Sequence, residues 1–406
     1  MPVQRRAMQT ELKAYLDNAA TTRLCDEAFN AMSPYWRERY FNPSSLYMTA
    51  QTVHTDIERA RAAVAAALNA DPKEIIFTGG GSEGDNAVLR GVTDAYAQKG
   101  RHVVTSAAEH HAVLHTLELL ERRGDIDLTV LPVDEYGMIT AEQVAKALRP
   151  DTVLVSIIFA NNEVGTINPV AEIGAVCRQA GVVFHTDAVQ AVGHIPVDVK
   201  ALNVDALTLT AHKFHGPKGA GALYLRRGIK MTPQITGGGH ERGRRAGTEN
   251  VTGIMGLAAA LTVSIEQLPV VSPKICVLRD KLLREIPARI PEVKLNGHPT
   301  MRLPNNVNFS IRYIEGESIL LMLDLNGIAA SSGSACTSGS LDPSHVLLAM
   351  GLPHEIAHGS LRLTLSQYTT PNEIDYTLEV LPEIVKRLRA MSPLYCGSTS
   401  HLAETN

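Results

Sequence analysis

Short apolar runs alternate with longer amphipathic stretches from about Lys73 to Arg226. The apolar runs, each of which predicts a strand, are KEIIFT, HVVTS, DLTVLPV, TVLVSIIFA, VVFHTDA, ALTLT and GALYLR. Helical spacing lies between them in SEGDNAVLRGVTDAYAQ, HAVLHTLELLERR, AEQVAKAL and PVAEIGAVCRQAG, and Gly181 closes the last of these helices. Because strands that are apolar throughout are buried on both faces, the pattern favours an α/β fold with a mainly parallel sheet.

The pattern changes after the glycine-rich stretch TGGGHERGRRAGTEN. A long helix is predicted from about Ile254 to Ile290, followed by a strand in NNVNFSIR and a final helix in PNEIDYTLEVLPEIVKRLRAM. These elements indicate a second, smaller α+β domain. We therefore place a large domain at 21–262, a small domain at 1–20 and 263–390, and a mobile polar tail at 391–406.

Composition and charge narrow the class of protein. The 406 residues are 45% apolar and carry a formal net charge of −4, which provides no general attraction to nucleic acid or to anionic membranes. The 5 cysteines are far apart and include no CxxC pair, so neither a zinc ribbon nor a disulfide framework is expected. No apolar run is predicted to span a bilayer, and the N-terminal stretch lacks the apolar segment of a signal peptide. We expect a soluble cytoplasmic protein that binds neither nucleic acid nor membrane, and we assign no metal ligands.

The turn GGGSEG, from Gly79 to Gly84, matches the pattern GxGxxG between a predicted strand and a predicted helix. Free N–H groups at the N-terminus of a helix attract an anion, so we interpret the turn as a phosphate site. A dinucleotide site is the alternative, since Glu109 follows the next strand, where an acid for the ribose would be needed. The motif does not open the fold as it does in dinucleotide-binding domains, so an NAD-dependent oxidoreductase is the more distant alternative.

The stretch HEIAH, from His354 to His358, matches the HExxH helix of zinc peptidases. That chemistry needs both histidines on one face of a long helix, together with a third ligand. Because Pro353 precedes the stretch and Gly359 follows it, the predicted helix is barely longer than one turn. We therefore interpret it as a short surface helix, and a zinc peptidase is the disfavoured alternative.

Two further predicted strand ends carry side chains that can take part in catalysis. Lys213 follows the strand that ends at Thr210, and a lysine at this edge of a sheet can be desolvated and form a Schiff base. Asp187 ends the strand VVFHTDA, where a carboxylate can pair with a cationic ring nitrogen. An anion site, a carboxylate and a lysine are together the protein side of pyridoxal 5′-phosphate (PLP) chemistry.

The stretch SSGSACTSGS holds Cys336 among small and hydroxylated residues, with no apolar anchor to restrain it. Cys177 and Cys276 lie in apolar helical segments and are predicted core residues. Cys25 and Cys396 have no neighbouring group in the sequence that would activate them. The residues alone indicate a loop of small residues that carries one thiol and has little backbone restraint.

With these residues assembled, the chain resembles the NifS/IscS-type cysteine desulfurases, a group of class-V aminotransferases within the fold-type-I PLP enzymes. The matching stretches, from YLDNAATT to SPLY, are FNPSS, EIIFTGGGSEGDN, AAEHHAVL, ANNEVGTINPV, FHTDAVQAVGHIPVD, AHKFHGPKGAGALY, GGGHERGRRAGTEN, EGES, SSGSACTSG and HGSLRLTLS. ANNEVGT and ERGRRAGTEN are similar to the NifS-like members. The resemblance implies a large domain with a mainly parallel seven-stranded sheet and a smaller α+β domain.

The resemblance also implies roles for individual residues. Lys213 would bind PLP covalently, and Asp187 would keep the ring nitrogen protonated. His110 would stack on the ring and move protons. The other implied cofactor ligands are Asn162 and Gln190 at the phenolate oxygen, and Gly81, Ser82, Thr210, His212 and Thr248 at the phosphate. Arg362, with help from Asn42, would bind the substrate carboxylate.

The implied activity is that of a PLP-dependent sulfurtransferase that converts L-cysteine to L-alanine. Cys336 would take the sulfur as a persulfide, pass it to an acceptor such as an iron–sulfur scaffold protein, and transiently bind an iron–sulfur cluster. Thr248 would reach the phosphate of a neighbouring subunit, which implies a homodimer. A selenocysteine lyase is the alternative within the same chemistry, whereas a non-catalytic sulfur carrier would need neither Lys213 nor Asp187.

Overall fold

The computed structural model describes residues 11–332, 343–393 and 395, so Cys336 and Cys396 lie outside the described residues. The strands are β1 Ala14–Tyr15, β2 Ile75–Thr78, β3 His102–Ser106, β4 Asp127–Leu131, β5 Thr152–Ser156, β6 Val183–Asp187, β7 Ala206–Thr210, β8 Gly221–Leu225, β9 Val293–Leu295, β10 Asn306–Ile311, β11 Ile328–Ala329 and β12 Ser360–Thr364. The helices are α1 Asp26–Met32, α2 Pro34–Arg37, α3 Met48–Ala67, α4 Gly81–Tyr96, α5 His111–Arg122, α6 Ala141–Ala147, α7 Val170–Ala180, α8 Val251–Arg289, α9 Gly316–Leu325, α10 His345–Ala349, α11 His354–His358 and α12 Pro371–Met391.

The main sheet has seven strands in the order β2-β8-β7-β6-β5-β3-β4. The strands from β7 to β4 pair in parallel, and β8 pairs antiparallel with both β7 and β2. β2 consequently runs in the same direction as β7, and β8 alone is reversed. The predicted mainly parallel seven-stranded sheet is confirmed, and the carboxyl ends of β2, β3, β5, β6 and β7 meet at one edge.

Helices cover both faces of this sheet, which explains why six of its strands are buried along their whole length, whereas the edge strand β4 is partly exposed. Along β8, Ala222 and Tyr224 pack into the core beneath α3, α7 and α8, whereas Leu223 and Leu225 pack into the core beneath α4 and α5. All five residues of β8 are buried. The helices α4, α5, α6 and α7 agree with the predicted helices to within a few residues, and Gly181 ends α7 at a φ of 65°, whereas α3 was not predicted.

A second core forms around the antiparallel sheet β12-β10-β9. Phe309 of β10 and Leu363 of β12 pack there with Ile319 of α9 and Leu378 of α12. β1 joins this core by pairing in parallel with β11. The predicted α+β part of the fold is confirmed, while the residue numbers given above for the domain boundaries stay predictions.

The helix α8 connects the two cores. Leu257 and Leu261 pack under the main sheet, and Leu282 and Ile286 pack in the second core. Among the described helices, α8 is long and apolar enough to cross a membrane by length and composition, so the expectation that no apolar run reaches that length is wrong. Its residues in both cores give the apolar stretch a structural explanation, because a helix that serves two cores must be apolar along its length.

Candidate active site

The carboxyl edge of the main sheet carries the residues singled out in the sequence. The turn after β2 leads into α4, and His110 precedes α5 after β3. Asp187 is the last residue of β6, and Lys213 lies in the short 3-10 turn Ala211–Lys213 directly after β7. These residues come from separate stretches of the chain, and the parallel strand order places all of them at one edge.

The glycine-rich turn brings the backbone close to this edge. Gly80 has a φ of 153° and a ψ of −176°, which only glycine adopts readily, and a Cβ on Gly81 would lie 2.8 Å from Cγ2 of Val189. Among the described residues, no side chain caps the N-terminus of α4. Its first-turn N–H groups therefore have no partner within the helix and present a positive end to an anion.

Asp187 lies against His110 and a second carboxylate, Asp85. One polar atom of each of these three residues lies within 4.8 Å of those of the others. Asp187 is 4% exposed, and its Oδ1 accepts the N–H of Val189 at 2.9 Å. Burial raises the pKa of Asp187, whereas the Val189 N–H and the charge of Lys213 act in the opposite direction. A cationic partner would restore the ionised form of this carboxylate.

His110 is held as a neutral imidazole. Its Nδ1 accepts the N–H of Ala112 at 3.1 Å, which leaves the proton on Nε2. The pKa of His110 is lowered to about 4, first by burial and then by the charge of Lys213. At neutral pH the ring is therefore uncharged, and its Nε2–H is available to a group at the sheet edge.

Glu109 has no access to a ribose. Its Oε1 accepts the hydroxyl of Ser106 at 2.5 Å and the N–H of Ile158 at 2.9 Å, and the residue is fully buried. Burial raises the pKa of Glu109 to about 8. The dinucleotide alternative needed a carboxylate facing the ligand, so this part of the alternative is wrong.

The segment 19–21, for which the sequence indicates no role, contacts three of the predicted site residues. Nζ of Lys213 donates to the carbonyls of Ala19 and Ala20 at 2.6 and 2.7 Å. Nε2 of Gln190 donates to Ala19 O at 3.0 Å, and Nδ1 of His212 lies 3.2 Å from Oγ1 of Thr21. The backbone of this segment therefore holds the lysine in place, and no side-chain signal could have revealed this role.

The other residues predicted to bind the phosphate differ in charge, hydrogen bonding and exposure. His212 has its pKa lowered to about 4, mainly by burial, and is therefore neutral. The Thr210 hydroxyl donates to Ala220 O at 3.2 Å, so it must turn from that carbonyl to donate to an anion. Ser82 and Thr248 are exposed.

Arg362 is 2% exposed and is held by two contacts. Its Nη2 pairs with Oδ1 of Asp17 at 2.9 Å, and its Nη1 donates to the carbonyl of Asn162 at 3.1 Å. Its Nε is buried and has no hydrogen-bond partner in the part of the chain that the structure describes. A buried donor without a partner is costly unless a ligand completes it, so this N–H points to an anionic substrate group. Asn42 is exposed, and its Oδ1 accepts the N–H of Ser44.

The chain on both sides of the undescribed segment 333–342 is attached to this site. Ser331 pairs through its backbone with Arg362, at 3.2 and 2.6 Å. On the other side, the Ser344 hydroxyl donates to the carboxylate of Glu163, and Nε2 of His345 lies 2.9 Å from the carbonyl of Glu109. Cys336 itself belongs to the undescribed segment, so its predicted role stays a prediction.

The other motifs do not join the site. The stretch HEIAH forms α11, a helix of 5 residues that ends before Gly359, as predicted. Within the described residues, the group able to hold a metal ion consists of Asp85, His110 and Asp187, and it excludes both histidines of α11. Cys25 and Cys177 are buried, and burial raises the pKa of the Cys177 thiol to about 12, as suits a core residue. Cys276 is only partly buried, so its predicted place in the core is wrong.

Comparisons with known proteins identify the family of the chain. Residues 14–377 match the aminotransferase class-V family. The chain is 53% identical to the cysteine desulfurase IscS of Clostridium botulinum strain Hall over 385 residues, which cover 94% of this chain and 97% of that protein. It is 53% identical to the cysteine desulfurase IscS of Methanosarcina thermophila over 388 residues, covering 95% and 96% of the two chains. A solved NifS-like protein superposes with a TM-score of 0.87 at 37% identity, covering 92% of this chain and 100% of that one.

Proposed function

The chain belongs to the aminotransferase class-V family and is a cysteine desulfurase, and we propose that it binds PLP at the sheet edge described above. The single observation that best supports the proposal is the convergence of Lys213, Asp187 and the uncapped turn before α4 at that edge. An amine, a carboxylate and an anion site are the groups that this cofactor requires.

The donor set at the edge fits the cofactor part by part. Gly81, Ser82, Thr210 and His212 would hold the phosphate, with Thr248 of a neighbouring subunit in a homodimer. Asp187 would face the ring nitrogen, and Asn162 and Gln190 would face the phenolate oxygen. The bound cofactor would supply an electron sink that weakens the bonds to the α carbon of the amino acid.

The chain's own residues would prepare and bind the substrate. Asp187, buried and held by the N–H of Val189, would favour a positive charge on its ligand. His110 would hold a proton at Nε2, since Nδ1 is occupied by the N–H of Ala112. Arg362 would orient L-cysteine by donating its unpartnered Nε–H to the substrate carboxylate, with help from Asn42.

The sulfur would leave through Cys336. Its thiolate would bond to the sulfur of the substrate, the carbon–sulfur bond would break, and the β carbon would gain a proton so that L-alanine departs. Cys336 would then carry the sulfur as a persulfide to an acceptor, for which an iron–sulfur scaffold protein is our proposal. The cytoplasm, where thiols stay reduced, is the compartment that suits this chemistry.

The test is a visible spectrum of the purified protein, combined with assays of alanine and sulfide. We expect visible absorbance that stays with the protein after unbound PLP is removed, and equal amounts of alanine and transferred sulfur from L-cysteine. Lys213→Ala should lose the covalent cofactor, whereas Cys336→Ser should keep it and lose persulfide formation. The matched control is Cys276→Ser, which removes a partly buried thiol and should behave as the parent.

Two results would overturn parts of the proposal. A protein that stays colourless with added PLP does not use this cofactor. A Cys336→Ser variant that desulfurates cysteine at the parent rate would show that the thiol is not the acceptor.

A further inference from the structure

The phosphate turn contains a negative charge of its own. Glu83 lies in the first turn of α4, and its Oε2 accepts the N–H of Gly79 at 2.9 Å. A Cβ on Gly79 would lie 2.7 Å from this oxygen, so glycine is what allows the carboxylate to fold back onto the turn. A carboxylate here competes with a phosphate for the same positive helix end, unless a cation neutralises it.

Arg245 supplies that cation. Its Nε lies 2.9 Å from Oε1 of Glu83, and its Nη2 lies 3.3 Å from Oε2. The side chains of Arg245 and Glu83 are 27% and 25% exposed, so water screens the pair only in part. This two-point contact fixes the planar guanidinium against both carboxylate oxygens.

The segment that carries Arg245 is firmly attached to the same subunit. Arg61 and Glu241 form a buried bidentate pair at 2.6 and 2.9 Å, and Glu241 also accepts the N–H of Phe77 on β2 at 3.0 Å. Glu241 and Arg242 both have left-handed backbone angles, with φ of 47° and 57°. Such strain in two consecutive residues persists only where the surroundings hold the backbone.

The three arginines of the stretch ERGRRAGT have different partners. Arg242 pairs with Glu58 at 3.2 Å, and Arg244 donates to the carbonyl of Lys73 at 3.2 Å. Of these three, Arg245 is the one that contacts a residue of the phosphate turn, through Glu83. Arg242 therefore serves as a control of the same type in the same segment.

We propose that Arg245 is a positioning residue for the cofactor: by neutralising Glu83, it allows the turn before α4 to accept the phosphate dianion. This inference rests on the proposed function, because it assumes that PLP binds at this turn. Arg245 acts through Glu83, so its effect should depend on two features, the carboxylate at position 83 and the phosphate of the ligand.

The experiment measures dissociation constants of cofactor-depleted full-length protein for PLP and for pyridoxal, which lacks the phosphate. Arg245→Gln should weaken PLP binding by roughly 10-fold or more, because an uncompensated carboxylate would repel the phosphate. Pyridoxal binding should not change. The double variant Glu83→Gln with Arg245→Gln should regain the parent affinity for PLP, since both charges are then absent, and Arg242→Gln should match the parent.

Several outcomes would overturn the inference. Equal weakening of PLP and pyridoxal by Arg245→Gln would indicate a general structural defect. A double variant as weak as Arg245→Gln would show that Glu83 is not the group being neutralised. If the parent binds PLP and Arg245→Gln binds it with the same affinity, the role of Arg245 is wrong but the proposed function stands. If the parent binds no PLP, the proposed cofactor and the role of Arg245 are both wrong.

Discussion

Replacing Arg362 with glutamine should separate substrate binding from stability at the candidate site. Arg362 is buried, donates to Asn162 O, pairs with Asp17 and has an Nε–H without a partner in the described part of the chain. Glutamine keeps a polar side chain but removes the charge and the planar fork. The change therefore removes the Nε–H donor proposed to hold the carboxylate of L-cysteine.

The expected magnitude follows from the number of charged hydrogen bonds. One hydrogen bond to a charged group contributes about 1.5 to 3 kcal/mol. Loss of the one hydrogen bond from Nε–H to the carboxylate would therefore cost about 1.5 to 3 kcal/mol, which corresponds to roughly 10- to 10²-fold in kcat/KM. The effect on folding should be of similar size, about 1 to 3 kcal/mol, because the Asp17 side chain left behind is 21% exposed and stays partly hydrated.

The assay compares kcat/KM for alanine formation with the thermal midpoint. Asp17→Asn combined with Arg362→Gln should recover much of the lost stability, because neither charge remains, but it should not recover kcat/KM. Spectral titration with cysteamine, which is cysteine without its carboxylate, should show no difference between the parent and Arg362→Gln.

The reasoning is refuted if Arg362→Gln keeps the parent kcat/KM for L-cysteine. It is also refuted if Arg362→Gln weakens the binding of cysteine and of cysteamine by the same factor relative to the parent, since the carboxylate would then have no part in the loss.

Three further predictions concern the surrounding fold. The pKa of Glu109 is about 8 in the folded chain against an ordinary value of 4.5. Between these two pH values the folded state holds a proton that the unfolded state has released. The free energy of unfolding should therefore fall as the pH rises from about 4.5 to about 8. Glu109→Gln should make that fall smaller, as measured by denaturant titrations. A difference in free energy of unfolding between parent and variant that stays constant from pH 5 to 8 would contradict this prediction. Arg61→Met leaves the carboxylate of Glu241 buried and without its cation, so the free energy of unfolding should drop by about 3 to 5 kcal/mol. A loss below about 1 kcal/mol in the same titration would be evidence against a buried ion pair. Gly84→Ala would place a Cβ 2.7 Å from Cγ2 of Thr208, at a cost of about 1 to 3 kcal/mol. Adding Thr208→Ser removes that methyl group and should restore part of the thermal midpoint. A double variant that is no more stable than Gly84→Ala would contradict this explanation.

Much of the site could be predicted because its residues follow strands that are easy to recognise. The apolar runs before Gly79, Asp187 and Lys213 identify them as strand-end residues, and parallel strands bring such ends together. The mechanism assigned to Cys336, in contrast, came from the family resemblance, and no contact of the described residues tests it.

The sequence by itself determined which stretches form strands and helices, because the period of apolar residues depends only on local geometry. The tertiary structure alone decided that β8 runs antiparallel to its neighbours, since an apolar stretch does not indicate the direction of its strand within the sheet. It also decided which distant groups meet: Arg362 with Asp17, Lys213 with the carbonyls of Ala19 and Ala20. Such contacts depend on how the sheets pack, and local periodicity carries no information about partners hundreds of residues away.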